Sequence, residues 1–317
     1  MNSTLYRDEM KGNFRFWSVH SNSAKENLSF YMYVKNASKT AVKLYMKGAG
    51  YGASLTSKPE PGAAAATNQY LKSQDSKGRY LATIPSGGGY AYRYASGVKD
   101  GYSMNYIADF RAVDASTGSD AAVTVSDIVT DSEAANVAAY ASSAQIAPTN
   151  YLYKGSADDY RGVLRHSGRT AKVNVNLTVA EPRKFINIAD AEPAAYPEEQ
   201  EPLISSWDEH GTKYNKPTEV VFKGKKRGAF WVTDYTIQFL ITKPASHPSV
   251  LTAYGARYGT SNSGYIHYKI SPDAPLTQYA YDAGKVRLID TSGSFTIKTM
   301  VQPFLSVPLA FYFAAEQ

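Results

Sequence analysis

The chain has 317 residues, no cysteine, and 34 basic against 28 acidic side chains. This length exceeds the usual domain of about 100 to 200 residues, so we expect two domains. Without cysteine, disulfides, thiol nucleophiles and cysteine metal sites are excluded. The charges are mostly interspersed, as on a solvated surface, and we therefore expect no nucleic-acid partner.

Neither end of the sequence has the pattern of a membrane segment. The stretch NSTLYRDEMKGN after Met1 lacks the basic and apolar regions of a signal peptide. The longest apolar run, 304–315, is too short to span a bilayer and contains Pro308. We expect no membrane span. Either the protein stays inside the cell or the numbering starts at a mature or cloned form.

Two neighbouring runs alternate apolar and amphipathic side chains. In SFYMYVKN, residues 29–36, the apolar residues alternate with Tyr31 and Tyr33; in AVKLYMK, residues 41–47, they alternate with Tyr45 and lysines. Successive side chains of a strand leave on opposite faces, so each run predicts a half-buried strand. The turn formers NASKT between them predict an antiparallel hairpin. With 26 tyrosines in the chain, we interpret its outer tyrosine face as a contact surface.

Further strand-like runs, separated by Gly-rich and Ser-rich turns, fill the first half. They cover 14–20, 79–84, 89–96, 102–113 and 121–129. The segment 131–145 differs, because alanines occupy its interior and Ser132 can cap its N-terminus. It predicts a short helix.

The second half begins a new series of strand-like runs. They cover 160–166, 170–180, 184–189, 219–224, 229–243, 249–259, 264–271, 285–290, 294–303 and 308–313. Short strands at this spacing predict an all-β fold of two tandem antiparallel β-sandwiches, jelly-roll or immunoglobulin-like, with a short connecting helix. We place the domains at 1–131 and 150–317, with a helical linker at 132–149.

Opposite charges follow one another in the middle of the chain. Residues 185–212 contain seven acidic and no basic side chains, and residues 213–227 contain six basic side chains and one acidic. The pattern fits a solvated loop beside a basic turn, or pairing of one subunit with the next. The residues for such pairing are Glu198, Glu199, Glu201, Lys223, Lys225, Lys226 and Arg227.

The sequence contains none of the common motifs for nucleotide, metal or acyl-transfer chemistry. Its five histidines are scattered, so we expect no metal, no cofactor, no catalytic residue and no enzymatic activity. Aromatic side chains can instead offer flat faces to sugar rings. The candidates for this role are Trp207, Tyr254 and Tyr258.

Five stretches carry a family resemblance: VKLYMKGAGYG, TIPSGGGYAY, DDYRGVLRH, GAFWVTDYTIQFLI and FTIKTMVQPFLSVPLAFYF. They resemble β-rich modules in secreted proteins of Paenibacillus-like Gram-positive bacteria. Such proteins are often labelled by an attached stalk domain that is named for the N-terminal domain of copper amine oxidases. The resemblance implies an extracellular, envelope-associated β protein, and it transfers no catalytic residue and no copper chemistry.

These observations lead first to a non-enzymatic structural protein whose copies polymerise into an extracellular filament or surface layer. Strands with Tyr and Lys outer faces suit packing between copies, and an N-terminal arm, 1–13, could add a strand to a neighbour's sheet. One alternative is a surface module that binds cell-wall or environmental polysaccharide. Another is a virion coat or tail component.

Overall fold

A computed structural model describes most of the chain. The described residues are 2–74, 78–131, 136–143, 168–188, 221–222, 225–226, 232–256, 264–271, 273–281, 286–289, 293–304 and 309–316. The chain divides into two compact units, Met1–Arg165 with His210–Thr218, and His166–Glu209 with Glu219–Gln317. Each unit is built mainly of β-sheets, which confirms the all-β sandwich fold class. No helix in these ranges is long and apolar enough to cross a membrane.

The first unit consists of two antiparallel four-stranded sheets. Its strands are β1 (Ser3–Lys11), β2 (Asn13–Ser21), β3 (Leu28–Lys35), β4 (Val42–Leu55), β5 (Arg79–Ile84), β6 (Gly89–Val98), β7 (Tyr102–Asp114) and β8 (Ala122–Thr130). One sheet has the order β1-β8-β3-β6 and the other the order β2-β7-β4-β5. Residues 3–11, predicted as an arm for a neighbour, pair instead with β8 of the same unit.

The core of the first unit consists of the apolar side chains predicted from the alternation. Met32, Val34, Val42 and Leu44 are all fully buried in it. Burying one such side chain contributes about 1.5 to 3 kcal/mol, so these alternating positions decide which face of each strand turns inward.

The predicted hairpin of β3 and β4 is wrong. β3 pairs with β6 and β8, whereas β4 pairs with β5 and β7 in the other sheet. The connection is fixed by Asn36, whose buried amide donates to the carbonyl oxygens of Thr40 (2.8 Å) and Ile84 (3.0 Å). Since either topology buries the same apolar faces, the alternation could not distinguish a hairpin from a crossing between sheets.

A helix that the sequence analysis missed lies on the outer face of the second sheet. α1 (Glu60–Ser73) has a proline in its first turn and packs mainly against β4. Gly50 and Gly52 of β4 allow this close approach: a Cβ atom at Gly50 would lie 1.9 Å from the carbonyl oxygen of Ala66. The proline and the four consecutive alanines 63–66 were the available sequence signals for this helix.

The predicted helix at 131–145 is present as the shorter α2 (Val137–Ala141). It lies on the outer face of the first sheet, where Val137 and Ala141 pack against Tyr31 and Ile128. Thr4 Oγ1 donates to the carbonyl oxygen of Tyr140 at 2.6 Å. α2 is therefore packed onto the first unit. Residues 132–135 and 144–149 of the predicted linker lie outside the described residues.

The second unit contains a four-stranded sheet, a five-stranded sheet and a short pair of strands of two residues each. Its strands are β9 (Gly168–Asn176), β10 (Arg183–Ile188), β11 (Val221–Phe222), β12 (Lys225–Lys226), β13 (Asp234–Thr242), β14 (Ser249–Ala256), β15 (Gly264–Lys269), β16 (Thr277–Tyr281), β17 (Val286–Ile289), β18 (Phe295–Met300) and β19 (Leu309–Glu316). One sheet has the order β10-β19-β14-β17, the other the order β16-β15-β18-β13-β9, and β11 pairs with β12. β9 runs parallel to β13, so the five-stranded sheet is mixed.

Aromatic side chains dominate the core of the second unit. Tyr235, Phe239, Tyr254 and Phe311 are fully buried. The rings of Tyr254 and Phe311 stack with their centroids 4.2 Å apart. Such contacts add to the stabilisation that comes from area burial alone.

Candidate functional site

Seven of the described tyrosines are in the interior, including two that were predicted as surface contacts, Tyr31 and Tyr254. The buried ones are Tyr31, Tyr70, Tyr94, Tyr106, Tyr235, Tyr254 and Tyr268. α2 covers Tyr31, and Tyr254 lies on the inner face of β14 with its hydroxyl 2.9 Å from Thr299 Oγ1. Neither side chain is exposed for a partner, so the prediction of surface contacts by Tyr31 and Tyr254 is wrong.

Tyr33 and Tyr45 are both half-buried. The ring of Tyr33 lies over Gly89, where a Cβ atom would come within 2.0 Å of the tyrosine hydroxyl. It packs beside Tyr31 and Ile128, so much of its area already serves the first unit. Tyr45 is different, because it belongs to a more exposed group on the other sheet.

This group, the Tyr45–Tyr80 surface, occupies the outer face where β5, β4 and β7 run side by side. It consists of Lys43, Tyr45, Tyr80, Thr83 and Arg111. Tyr45 lies opposite Tyr80 on one side and Arg111 on the other, and Lys43 lies opposite Thr83. The residues next to them in sequence, such as Leu44 and Phe110, point to the opposite face of the sheet, into the core.

The two tyrosine rings form an edge-to-face pair. Their centroids are 5.7 Å apart at an interplanar angle of 65°. Tyr80 is 52% exposed, and its hydroxyl lies 2.8 Å from Thr83 Oγ1. The pairing register shifts between Leu44 and Tyr45, so that β5 carries Leu81 as an extra residue. Because a bulge re-aims the side chains beside it, this shift places Tyr80 next to Tyr45.

Two cations flank the aromatic pair. The side chain of Arg111 is 44% exposed, and its closest acidic partner is Asp120, with Nη2 and Oδ1 3.8 Å apart. An exposed ion pair of this length contributes little, so the guanidinium keeps donors for a ligand. Sequence reasoning missed Tyr80 and Arg111, because a bulge in an edge strand leaves no clear pattern in the residues.

A second polar group lies between the sheets of the first unit. Both carboxylate oxygens of Asp127 are engaged: Tyr94 donates to Oδ1 at 2.6 Å, Ser18 donates to Oδ2 at 2.9 Å, and His20 Nε2 lies 2.8 Å from Oδ2. In a nucleophile–base–acid relay the imidazole would be central. Here the carboxylate is central and Ser18 is buried, so the arrangement stabilises the interior rather than activating a nucleophile.

The second unit has an exposed apolar band on its four-stranded sheet. The Phe185–Leu288 band consists of Phe185, Leu251, Leu288 and Tyr312. Phe185, Tyr312, Ala253 and Leu288 occupy one register row across all four strands. Phe185 is 47% exposed and Leu288 is 60% exposed. Contiguous exposed apolar side chains of this kind mark contact surfaces.

The structure does not test several of the predicted site residues. Trp207, Tyr258, Glu198, Glu199, Glu201, Lys223 and Arg227 lie outside the described residues. Lys225 and Lys226 form the short strand β12, and their pairing with acidic residues of another subunit stays a prediction. Within the described ranges, no cluster of three or more His, Asp or Glu side chains could hold a metal ion.

No protein-family model and no curated protein matches the sequence. Among solved structures, the chain is similar to the CUB1-EGF-CUB2 domain of human MASP-1/3, at 9% identity over 96% of this chain and 99% of that one, with a TM-score of 0.21. It is also similar to the PBSX exported protein XepA, at 11% identity over 99% and 86% of the two chains and a TM-score of 0.19. A third is the CBM22-1-CBM22-2 tandem domain of Paenibacillus barcinonensis Xyn10C, at 8% identity over 93% and 81% and a TM-score of 0.14. Similarities of this size assign neither a family nor a function.

Proposed function

We propose that the protein is a non-enzymatic extracellular surface module that binds a polysaccharide through the Tyr45–Tyr80 surface. One observation carries the proposal: an exposed tyrosine ring, held in place by a second, on the outer face of the second sheet. The apolar face of an aromatic ring complements the C–H face of a sugar ring. A ring held in place by its neighbour loses little entropy when a ligand covers it.

The polar groups around the ring pair suit a carbohydrate. The hydroxyls of Tyr80 and Thr83 and the side chains of Lys43 and Arg111 lie on the same face. They supply donors and acceptors for sugar hydroxyls around an apolar platform. The extracellular location is part of the proposal, and the resemblance to envelope-associated modules supports it.

Affinity electrophoresis of the whole protein through gels containing neutral or acidic polysaccharides tests this function. We expect Tyr80→Ala to weaken retention about tenfold, which corresponds to the loss of about 1.4 kcal/mol. Tyr80→Phe, which keeps the ring, should retain most of the binding. The matched control is Leu55→Ala, since Leu55 is similarly exposed on the same sheet. Wild-type protein that migrates unretarded through every polysaccharide would refute the proposal.

A second candidate function is self-assembly into a filament or surface layer. The Phe185–Leu288 band favours it, because partly exposed apolar side chains on the outer face of one sheet can pack against another copy. The opposite charges at Glu198, Glu199 and Glu201 and at Lys223, Lys225, Lys226 and Arg227 would orient neighbouring copies in such an assembly.

A further inference from the structure

We infer that the Tyr45–Tyr80 surface selects a polysaccharide that carries carboxylate groups. The inference rests on the proposed function and adds the chemical class of the ligand. Its basis is the placement of two cations around the ring pair. Lys43 precedes Tyr45 by two residues on the same face of β4, and Arg111 lies directly across from Tyr45 on β7.

The spacing of these groups matches a ligand of more than one sugar ring. Tyr80, Tyr45 and Arg111 occupy one register row on three adjacent strands. Two inter-strand spacings separate the outer pair by about 10 Å. One sugar ring can therefore stack on Tyr80 while a carboxylate farther along the chain meets Arg111. The planar guanidinium fits a carboxylate through two parallel hydrogen bonds, which a neutral hydroxyl cannot match.

Competition within the protein for Arg111 is weak. Asp120 is its acidic neighbour at 3.8 Å, longer than a hydrogen-bonded ion pair, and both side chains are partly exposed. Two other acids of β7 are already engaged: Asp109 accepts hydrogen bonds from Arg15 at 2.7 and 3.0 Å, and Asp114 accepts hydrogen bonds from Ser116 and Thr117 at 2.6 to 2.9 Å. In the free protein, water and the distant Asp120 carboxylate meet the Arg111 guanidinium. A carboxylate on the ligand would thus form a stronger, charge-assisted contact with it.

A polysaccharide fits this surface better than a single-stranded nucleic acid does. Nucleic-acid channels combine a basic groove that follows the phosphates with several successive stacking rings. Here one well-exposed ring lies on the outer sheet face with two flanking cations. Apart from the acidic segment 185–212 and the basic segment 213–227, the charges of the chain are interspersed in sign.

The test compares two forms of one polymer, using the full chain. Polygalacturonate presents a carboxylate on every ring, and its fully methyl-esterified form has the same backbone without the charges. We expect the acidic form to bind at least tenfold more tightly at low salt, with the difference shrinking as salt screens the charges. Arg111→Gln and Lys43→Gln should each weaken binding of the acidic form about fivefold to tenfold and leave binding of the ester unchanged. Asp120→Asn should strengthen binding of the acidic form.

The control variant is Lys58→Gln, which removes an exposed cation elsewhere in the first unit and should change nothing. Circular dichroism of each variant shows whether it is folded. Equal binding of both polymer forms, still dependent on Tyr80, would overturn the carboxylate inference and leave polysaccharide binding standing. Binding of neither form nor of any other polysaccharide would overturn both. Tighter, Tyr80-dependent binding of an oligothymidylate would overturn both in favour of a nucleic-acid ligand.

Discussion

The hydroxyl of Tyr94 is buried beside a carboxylate. It donates to Asp127 Oδ1 at 2.6 Å and lies 2.8 Å from Ser18 Oγ. Burial raises the pKa of Tyr94 well above its ordinary value of 10.0, and the negative charge of Asp127 raises it further. The pKa of Tyr106 is also raised, first by burial and then by Tyr92. Both phenols are thus held neutral by the fold.

These two tyrosines predict a loss of stability at alkaline pH. The unfolded state ionises them near pH 10, whereas the folded state keeps their protons, so the stability they contribute is complete below pH 10 and is lost as pH rises toward the folded pKa values. Each should lower the free energy of unfolding by about 1.4 kcal/mol per pH unit in that window. Urea unfolding at pH 8 to 11.5, followed by circular dichroism, measures the slope.

The matched comparison is Tyr94→Phe, which should be less stable at pH 8 because Asp127 loses a donor, yet should show a shallower slope above pH 10. An identical slope in Tyr94→Phe and the wild type would show that Tyr94 ionises in the folded protein.

The sequence identified tyrosine as the unusual residue type but not where each tyrosine would lie. Alternation placed Tyr31 correctly on the outer face of its sheet, yet α2 covers that face. In β14, Val250, Thr252 and Tyr254 alternate with the outward-facing residues, and all three side chains point toward the core. Whether a tyrosine is exposed depends on what packs over its sheet, and that is decided by residues far away in sequence.

Between elements, α1 and β4 of the first unit approach each other closely. Gly52 faces the carbonyl oxygen of Gly62, and Gly50 faces the carbonyl oxygen of Ala66, one turn further along α1. Every second residue of this part of β4 is glycine. Gly48, Gly50 and Gly52 therefore share the outer face of the strand. Without side chains at these positions, the helix backbone rests directly on the strand.

Gly50→Ala should therefore destabilise the first unit. The new Cβ atom would lie 1.9 Å from the Ala66 carbonyl oxygen and 2.6 Å from the Tyr70 amide nitrogen, both backbone atoms that cannot move without shifting α1. We expect a loss of at least about 2 kcal/mol, in the range of overpacking substitutions. Gly168→Ala in β9 is the control, because its nearest atoms are 3.5 Å away. Urea unfolding measures both, and equal stabilities would contradict direct contact of α1 with β4.

At the level of elements, the sequence predicted strands well and connections poorly. The runs at 14–20, 79–84, 89–96, 102–113 and 121–129 correspond to β2, β5, β6, β7 and β8. The pairing of β3 with β8 was not predictable, because alternation reports only which face of a strand is buried. α1 was missed because its alanines and polar residues give little helical amphipathicity, and its docking surface is a row of glycines.

For the whole molecule, the remaining question is whether copies associate through the second unit. The Phe185–Leu288 band has four partly exposed side chains, far fewer than the roughly 20 to 30 residues that each partner contributes to a stable interface. A stable pairwise interface buries about 800 Å² on each partner. Association through the band alone would then be weak for two copies and would become strong only when each copy has several neighbours.

Self-assembly through the band predicts a concentration-dependent change from monomers to large regular species. Sedimentation velocity and electron microscopy of the purified protein measure it. Leu288→Lys should abolish the large species, since a buried ammonium group would face an apolar partner, and the exposure of Leu288 lets the monomer tolerate the lysine. Leu55→Lys, at a similarly exposed leucine of the first unit, should assemble like the wild type.

Salt distinguishes this contact from pairing of the acidic and basic segments. Raising the salt concentration screens charge pairing and would dissolve an assembly held by Glu198, Glu199 and Glu201 against Lys225 and Lys226. It leaves apolar contacts intact, so an assembly built on the band should persist. A monomer at every concentration, salt and pH would rule out both contacts, and Leu288→Lys protein that still forms large species would rule out the band alone.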